Sequence, residues 1–152
     1  MTAEHTPVKI MKLHPDAKYP HRGSVLAAGY DVFAQTVTPI TLNPGDRVLV
    51  PTGIAVQLQE GFECQVRPRS GLALKKGLTV LNTPGTVDAD YTGEIGVILV
   101  NLSSAPAIIQ PQERIAQLVF TRHAVADFIE VEGFNATARG ESGFGSTGTT
   151  ES

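Results

Sequence analysis

Turn formers punctuate this chain throughout: Asn43-Pro44-Gly45-Asp46, Pro51-Thr52-Gly53 and Pro84-Gly85 separate short runs of β-branched and apolar residues. Proline lacks the N–H that a helix interior needs, and glycine adopts positive φ without strain, so this spacing breaks helices and closes turns. The runs between, at 8–13, 37–42, 47–50, 53–58, 62–67, 95–101, 107–110 and 115–122, have the length and composition of strands. The expectation is an all-β, jelly-roll-like barrel or sandwich. One segment departs from the pattern. Residues 70–77 carry Ser70 where an N-cap belongs, Lys75 and Lys76 in the last turn and Gly77 just past the end, which predicts a helix of about two turns.

At 152 residues and 41% hydrophobic content the chain supports one core, expected over residues 1–132. Residues 133–152 change character, with Phe134 and Phe144 the only large apolar side chains among glycines, serines and threonines. Such a segment buries too little to order itself and reads either as a disordered end or as a flap that orders on a ligand. A net charge of -3 with no extended Lys/Arg run disfavours polymeric nucleic acid as a partner and leaves a small anionic ligand open. No run approaches a membrane span, and the polar first residues lack the apolar stretch of a signal peptide, so a soluble protein, cytoplasmic or otherwise intracellular, is expected. Cys64 is the sole cysteine, which excludes an internal disulfide and a multi-cysteine metal site, and its place in a strand reads as packing.

Five segments carry residue types that do chemistry. Residues 85–101 put Asp88, Asp90 and Tyr91 on a tight turn, with Thr92-Gly93 as turn residues, ahead of the apolar run Val97-Ile98-Leu99-Val100. That is a reactive loop on a rigid support, or a solvated hairpin tip. Arg67-Pro68-Arg69-Ser70-Gly71 stands at the helix start, where unpaired N–H groups favour a phosphate, Arg69 and Ser70 add bonds and Gly71 permits close approach; an ordinary cap has the same composition. Asp31, in Ala28-Gly29-Tyr30-Asp31, is a turn former or part of a metal's water shell. Gln117 interrupts the apolar strand that begins at Arg114, as a satisfied core amide or a donor to phosphate. Gly143-Phe144-Gly145-Ser146-Thr147-Gly148 formally matches a dinucleotide fingerprint but lacks the strand before it and the helix after it. With Arg139 it still offers N–H groups, hydroxyls and a guanidinium to a phosphate.

In this order, Ala28-Gly29-Tyr30-Asp31, Pro68-Arg69-Ser70-Gly71-Leu72-Ala73, residues 85–101, Arg114-Ile115-Ala116-Gln117-Leu118 and the run from Arg139 to Gly148 resemble the five motifs of the trimeric dUTPases. The resemblance implies a jelly-roll homotrimer that hydrolyses dUTP to dUMP and pyrophosphate with Mg2+, supplying dUMP for dTTP synthesis and limiting uracil in DNA. Each site would draw on three chains, the C-terminal flap of one closing over a pocket made by the other two. Carried over by position, Asp88 is the general base that activates water at the α-phosphorus, and Tyr91 packs against the deoxyribose and excludes a 2'-hydroxyl. Asn82, Gly85 and the Ile95-Gly96 backbone line the uracil pocket, while Arg69, Ser70, Gly71 and Gln117 hold the phosphates. Arg139, Gly145, Ser146 and Thr147 of the flap complete the cradle, with Phe144 stacked on uracil. Mg2+ has no direct protein ligand in this scheme; phosphates and waters hold it, with Asp31 in the outer shell. Asp90 has no catalytic place. The rivals are a dCTP deaminase of the same fold, for which Glu94 is the available glutamate, and a regulatory protein that binds dUTP as a switch.

Overall fold

The computed structural model describes residues 5–148. Two antiparallel sheets carry the fold. In the first, β1 (Lys9–Lys12) pairs with β5 (Arg47–Gln57), β5 with β9 (Glu94–Asn101) and β9 with β7 (Leu78–Val80). In the second the order is β2 (His21–Arg22), β3 (Tyr30–Phe33), β11 (Arg114–Arg122), β6 (Phe62–Arg67) and β8 (Gly85–Val87). A small ladder joins β4 (Ile40–Leu42) to β10 (Ala107–Ile109), and the helix α1 (Ser70–Lys76) follows β6. The architecture is the expected all-β, jelly-roll-like one, with a single short helix among the described residues.

The core follows from strand alternation. Val50, Ile54 and Val56 of β5 and Ile95, Val97 and Leu99 of β9 point one way, and with Val32, Cys64, Val66, Ile115 and Leu118 of the other sheet they form one buried cluster. Each of the larger side chains contributes roughly 1.5–3 kcal/mol by leaving water. Thr52 and Asn101 are the buried polar residues among those described, and Asn101 donates to the carbonyls of Leu42 and Ala105 (2.9 and 2.8 Å) and accepts from the N–H and hydroxyl of Ser103. With every polar atom paired, its burial carries no desolvation penalty left unmatched.

Three local expectations are corrected. Pro51-Thr52-Gly53 is not a turn between two strands, because β5 runs through it as one strand. The pairing with β9 slips there, from Pro51 opposite Gly96 to Ala55 opposite Glu94, so four steps on β5 match two on β9 and the extra backbone bulges. Ser70 is not the N-cap. That position belongs to Arg69, in extended conformation and with no side-chain cap bond, while Gly77 closes the helix in the left-handed region as expected. The run at 37–42 yields strand only from Ile40, and the two- and three-residue strands β2, β7 and β8 are too short to register as periodicity.

Candidate active site

The hairpin between β8 and β9 carries Asp88 and Tyr91. Its turn is closed by the Tyr91 N–H donating to the Asp88 carbonyl at 3.2 Å, with Ala89 and Asp90 at the corner, so Asp90 is a turn former and Thr92-Gly93 lead back into β9. The Tyr91 hydroxyl donates to the Glu94 carbonyl at 2.8 Å, which folds the ring over Gly93. A Cβ at Gly93 would come within 2.6 Å of the phenol oxygen, so only glycine allows this pose. Thr86, Val87, Asp88, Tyr91, Glu94, Ile95 and Gly96 line a cavity of about 210 Å³. That falls short of the roughly 300–1,000 Å³ of sites that enclose a whole ligand of drug size, so the cavity within one chain has room for only part of such a ligand. Asp88 is exposed and Gly85 buried, with the Asn82 amide packed against Gly85. Ile95 is buried and its carbonyl already accepts from the Thr52 hydroxyl at 2.5 Å.

The Glu94 carboxylate accepts the Gly53 N–H at 2.8 Å. A glutamate tied to the backbone of the neighbouring strand is committed to structure, which weighs against the deaminase reading.

A second group gathers where β3, β11 and β6 lie side by side. Gln117 is opposite Asp31 on one flank and Arg67 on the other. Asp31, 16% exposed at its side chain, accepts from Arg69 Nε at 3.0 Å through Oδ1 and from Arg114 at 3.4 Å through Oδ2. Arg69 also donates to the Arg114 carbonyl. Gln117 donates its amide to the Pro68 carbonyl at 2.9 Å and lies against Gly29, where a Cβ would be 2.0 Å from its oxygen. It therefore positions the loop that delivers Arg69 and Ser70. Ser70 and Gly71 open α1, and a Cβ at Gly71 would meet nothing within 4 Å, so the helix start is accessible. Arg114 stands at the head of its strand as an unassigned guanidinium in the sequence, and only the fold reveals its carboxylate partner.

The two groups do not meet within one chain. Val87 pairs with Cys64, three residues or about 10 Å of strand from Arg67, and Asp88 lies beyond it. Residues 124–148 form no strand or helix, and Arg139, Phe144, Gly145, Ser146 and Thr147 line neither group. Phe144 is fully exposed at φ 51°, Gly145 stands at φ 87°, and Arg139 donates to the Ser142 carbonyl within its own segment. Residues 149–152 of the expected flap lie outside the described residues.

Among the described residues no three His, Cys, Asp or Glu side chains cluster as a metal site, and no helix is long and apolar enough to cross a membrane. Cys64 is buried, and burial together with the neighbouring Glu63 charge pushes its thiol up to about 12, which keeps it an inert packing group.

Residues 15–148 match the family model for dUTPase. The chain is 54% identical over 141 residues to the deoxyuridine 5'-triphosphate nucleotidohydrolase of Wolinella succinogenes, covering 93% of each chain. It is 56% identical over 131 residues to the enzyme of that name from Fusobacterium nucleatum, covering 86% of this chain and 88% of that one. Among solved structures, the Staphylococcus bacteriophage 80alpha dUTPase G164S mutant with dUpNHpp superposes with a TM-score of 0.85 at 27% identity, over 94% of this chain and 99% of that chain.

Proposed function

The chain belongs to the dUTPase family, and on that premise we propose that it is a dUTP diphosphatase, releasing dUMP and pyrophosphate by attack of an Asp88-activated water on the α-phosphorus. The observation that carries this reading is the meeting of Asp88, Tyr91 and the Ile95-Gly96 backbone around one cavity. Base, sugar and reacting phosphorus of a single nucleotide span about the reach of those groups.

The residues divide the work by their chemistry. Main-chain groups of the hairpin, with Asn82 and Gly85, pair with the edge of uracil and leave unpaired groups against cytosine, which costs binding. The Tyr91 ring, held by its hydroxyl, walls off the 2' position of the sugar. Asp88 accepts the proton of the attacking water as the bond from the α-phosphorus to the bridging oxygen breaks and pyrophosphate leaves. A carboxylate this exposed in one chain gains its partly desolvated setting only when substrate and neighbouring segments cover it. Arg69, Arg114 and the open start of α1 bring positive charge and donors to the phosphates. The donor set fits Mg2+ that arrives on the triphosphate: no carboxylate cage is present among the described residues, and Asp31, engaged once through each oxygen, retains lone pairs for a water of the outer shell. When bound there, Mg2+ supplies charge neutralisation on the phosphate oxygens.

The assembly is a homotrimer with shared sites in this proposal. Two features support it. The hairpin and phosphate groups stand apart within one chain, and a second copy would bring one to the other. The segment that leads into the flap exposes Val125, Phe128 and Ile129, and Leu49 is exposed beside Gly96 on the outer face of the first sheet, an apolar display suited to burial between copies. Residues 133–152 then act as a flap, Phe144 stacking on uracil while Arg139, Gly145, Ser146 and Thr147 enclose the phosphates. The site belongs in the cytoplasm, where it would supply dUMP for dTTP synthesis and keep uracil from DNA. Pyrophosphate release from dUTP, dCTP, dTTP and UTP, with and without Mg2+, tests the reading: strong preference for dUTP with Mg2+ is expected, and equal turnover of dCTP would overturn it.

A further inference from the structure

The bulge in β5 stands directly against the first residues of β9, and no step of the proposed chemistry uses it. Between Pro51 and Ala55 the regular ladder with β9 is lost. Two side-chain bonds stand in for it: the buried Thr52 hydroxyl donates to the Ile95 carbonyl at 2.5 Å, and Glu94 accepts the Gly53 N–H at 2.8 Å. Gly53 is irreplaceable in this arrangement, because its φ is 69° and a Cβ would come 2.8 Å from the Ala17 side chain and 2.9 Å from that of Gln35. Its carbonyl accepts from the Leu13 N–H, and the Pro51 carbonyl from that of Gln35, so the bulge is tied on its far side as well. Bulges beside functional sites bend their own strand and re-aim its side chains, and this one aims the Thr52 hydroxyl at β9. Here the strand that is aimed begins with Glu94, Ile95 and Gly96, all three on the wall of the cavity, and the Glu94 carbonyl also anchors Tyr91.

We propose that Thr52, Gly53 and Glu94 form a brace that sets the aim of the base-reading segment at Ile95 and Gly96, and so act as positioning residues for selectivity between pyrimidines. The inference rests on the dUTP reading of this cavity and extends it to Thr52 and Gly53, which stand behind the cavity wall, and to Glu94, which lies on that wall and acts here through its bond to the Gly53 N–H. It differs from a purely structural role in what it moves. Loosening the brace shifts the hairpin backbone relative to the base, which erodes discrimination before it erodes chemistry.

The test compares kcat/KM for dUTP, dCTP and dTTP, calorimetric binding of dUMP and dCMP, and Tm, across wild type and two pairs of variants. Thr52→Val keeps the shape and removes the hydroxyl, while Thr52→Ser keeps the donor; Glu94→Ala removes the acceptor, while Glu94→Gln keeps one. The Val and Ala variants should lose about tenfold in dUTP-over-dCTP selectivity and in dUMP-over-dCMP binding, with Ser and Gln within about threefold of wild type. Wild-type selectivity in both Thr52→Val and Glu94→Ala would overturn the brace, whatever happens to Tm. Should Thr52→Val fail to fold, the Glu94 pair decides, since that side chain lies at an exposed position. A wild-type protein without preference for dUTP would instead remove the underlying reading, a result visible before any variant is made.

Discussion

The hairpin group and the phosphate group are built on opposite plans. Around Asp88 and Tyr91 the parts are held by backbone: a turn bond, a β-ladder, a glycine that admits the phenol and a bulge with two side-chain bonds. Around Asp31 the parts are held by charge, one carboxylate between two guanidiniums that are 30% and 44% exposed. A base must be told from one that differs by a single donor or acceptor, and that demands fixed geometry. A triphosphate has only to be met by positive charge, and partly exposed guanidiniums serve that end. The first region should therefore respond to mutation in selectivity and rate, the second in affinity and salt dependence.

The strongest way to break this contrast is Asp88→Asn. Hydrolysis should fall about 10³-fold while binding of a non-hydrolysable dUTP analogue survives, since an amide takes no proton; near wild-type turnover in a pyrophosphate assay would unseat Asp88 as the base. Next comes truncation after Asn135, which should leave the oligomer intact by ultracentrifugation and lower kcat/KM about 10²-fold, because cover and phosphate donors are lost together. An unchanged kcat/KM would leave the tail without a catalytic part. In the charged region, Arg69→Ala should raise KM for dUTP about tenfold, consistent with roughly 1.5 kcal/mol for a bond to a charged group. The defect should shrink as salt is added, because screening weakens the wild-type contact too. A fall in kcat alone would argue that the charged region does more than bind. Tyr91→Ala should then raise kcat/KM for UTP relative to dUTP about fivefold to tenfold, and an unaltered ratio would move the sugar gate elsewhere.

One further effect lies outside both regions. The fold keeps the Cys64 thiol neutral up to about pH 12, whereas the unfolded chain ionises it above the ordinary 9.0. That contribution to stability is whole below pH 9 and fades at about 1.4 kcal/mol per pH unit as pH climbs towards 12. Cys64→Ala should flatten the alkaline loss of Tm relative to wild type, and identical slopes would refute the shift.

Residues whose role depends on local chemistry were legible before the fold was known. Gly77 reads as a helix end and Cys64 as packing, and the motifs that hold Asp88, Tyr91 and Arg69 stand in an order that marks the family. Other assignments were not available locally. Ser70 has the composition of a cap, yet Arg69 occupies that position. Gln117 reads equally as a satisfied amide or a donor to phosphate, and its partners Pro68 and Gly29 are brought to it only by the fold. Arg114 acquires a carboxylate partner 83 residues distant in sequence.

Pro51-Thr52-Gly53 shows where the division falls. Its composition determined that the backbone must depart from a regular strand there, since proline brings no N–H and Gly53 takes a positive φ that side chains resist. Whether that departure became a turn or a bulge depended on β9, which pairs on both sides of it and holds the strand straight through. Preferences of φ and ψ act over a residue or two and are written in the chain. Pairing partners are chosen by burial and hydrogen bonding across the whole domain, and only the tertiary structure decides them.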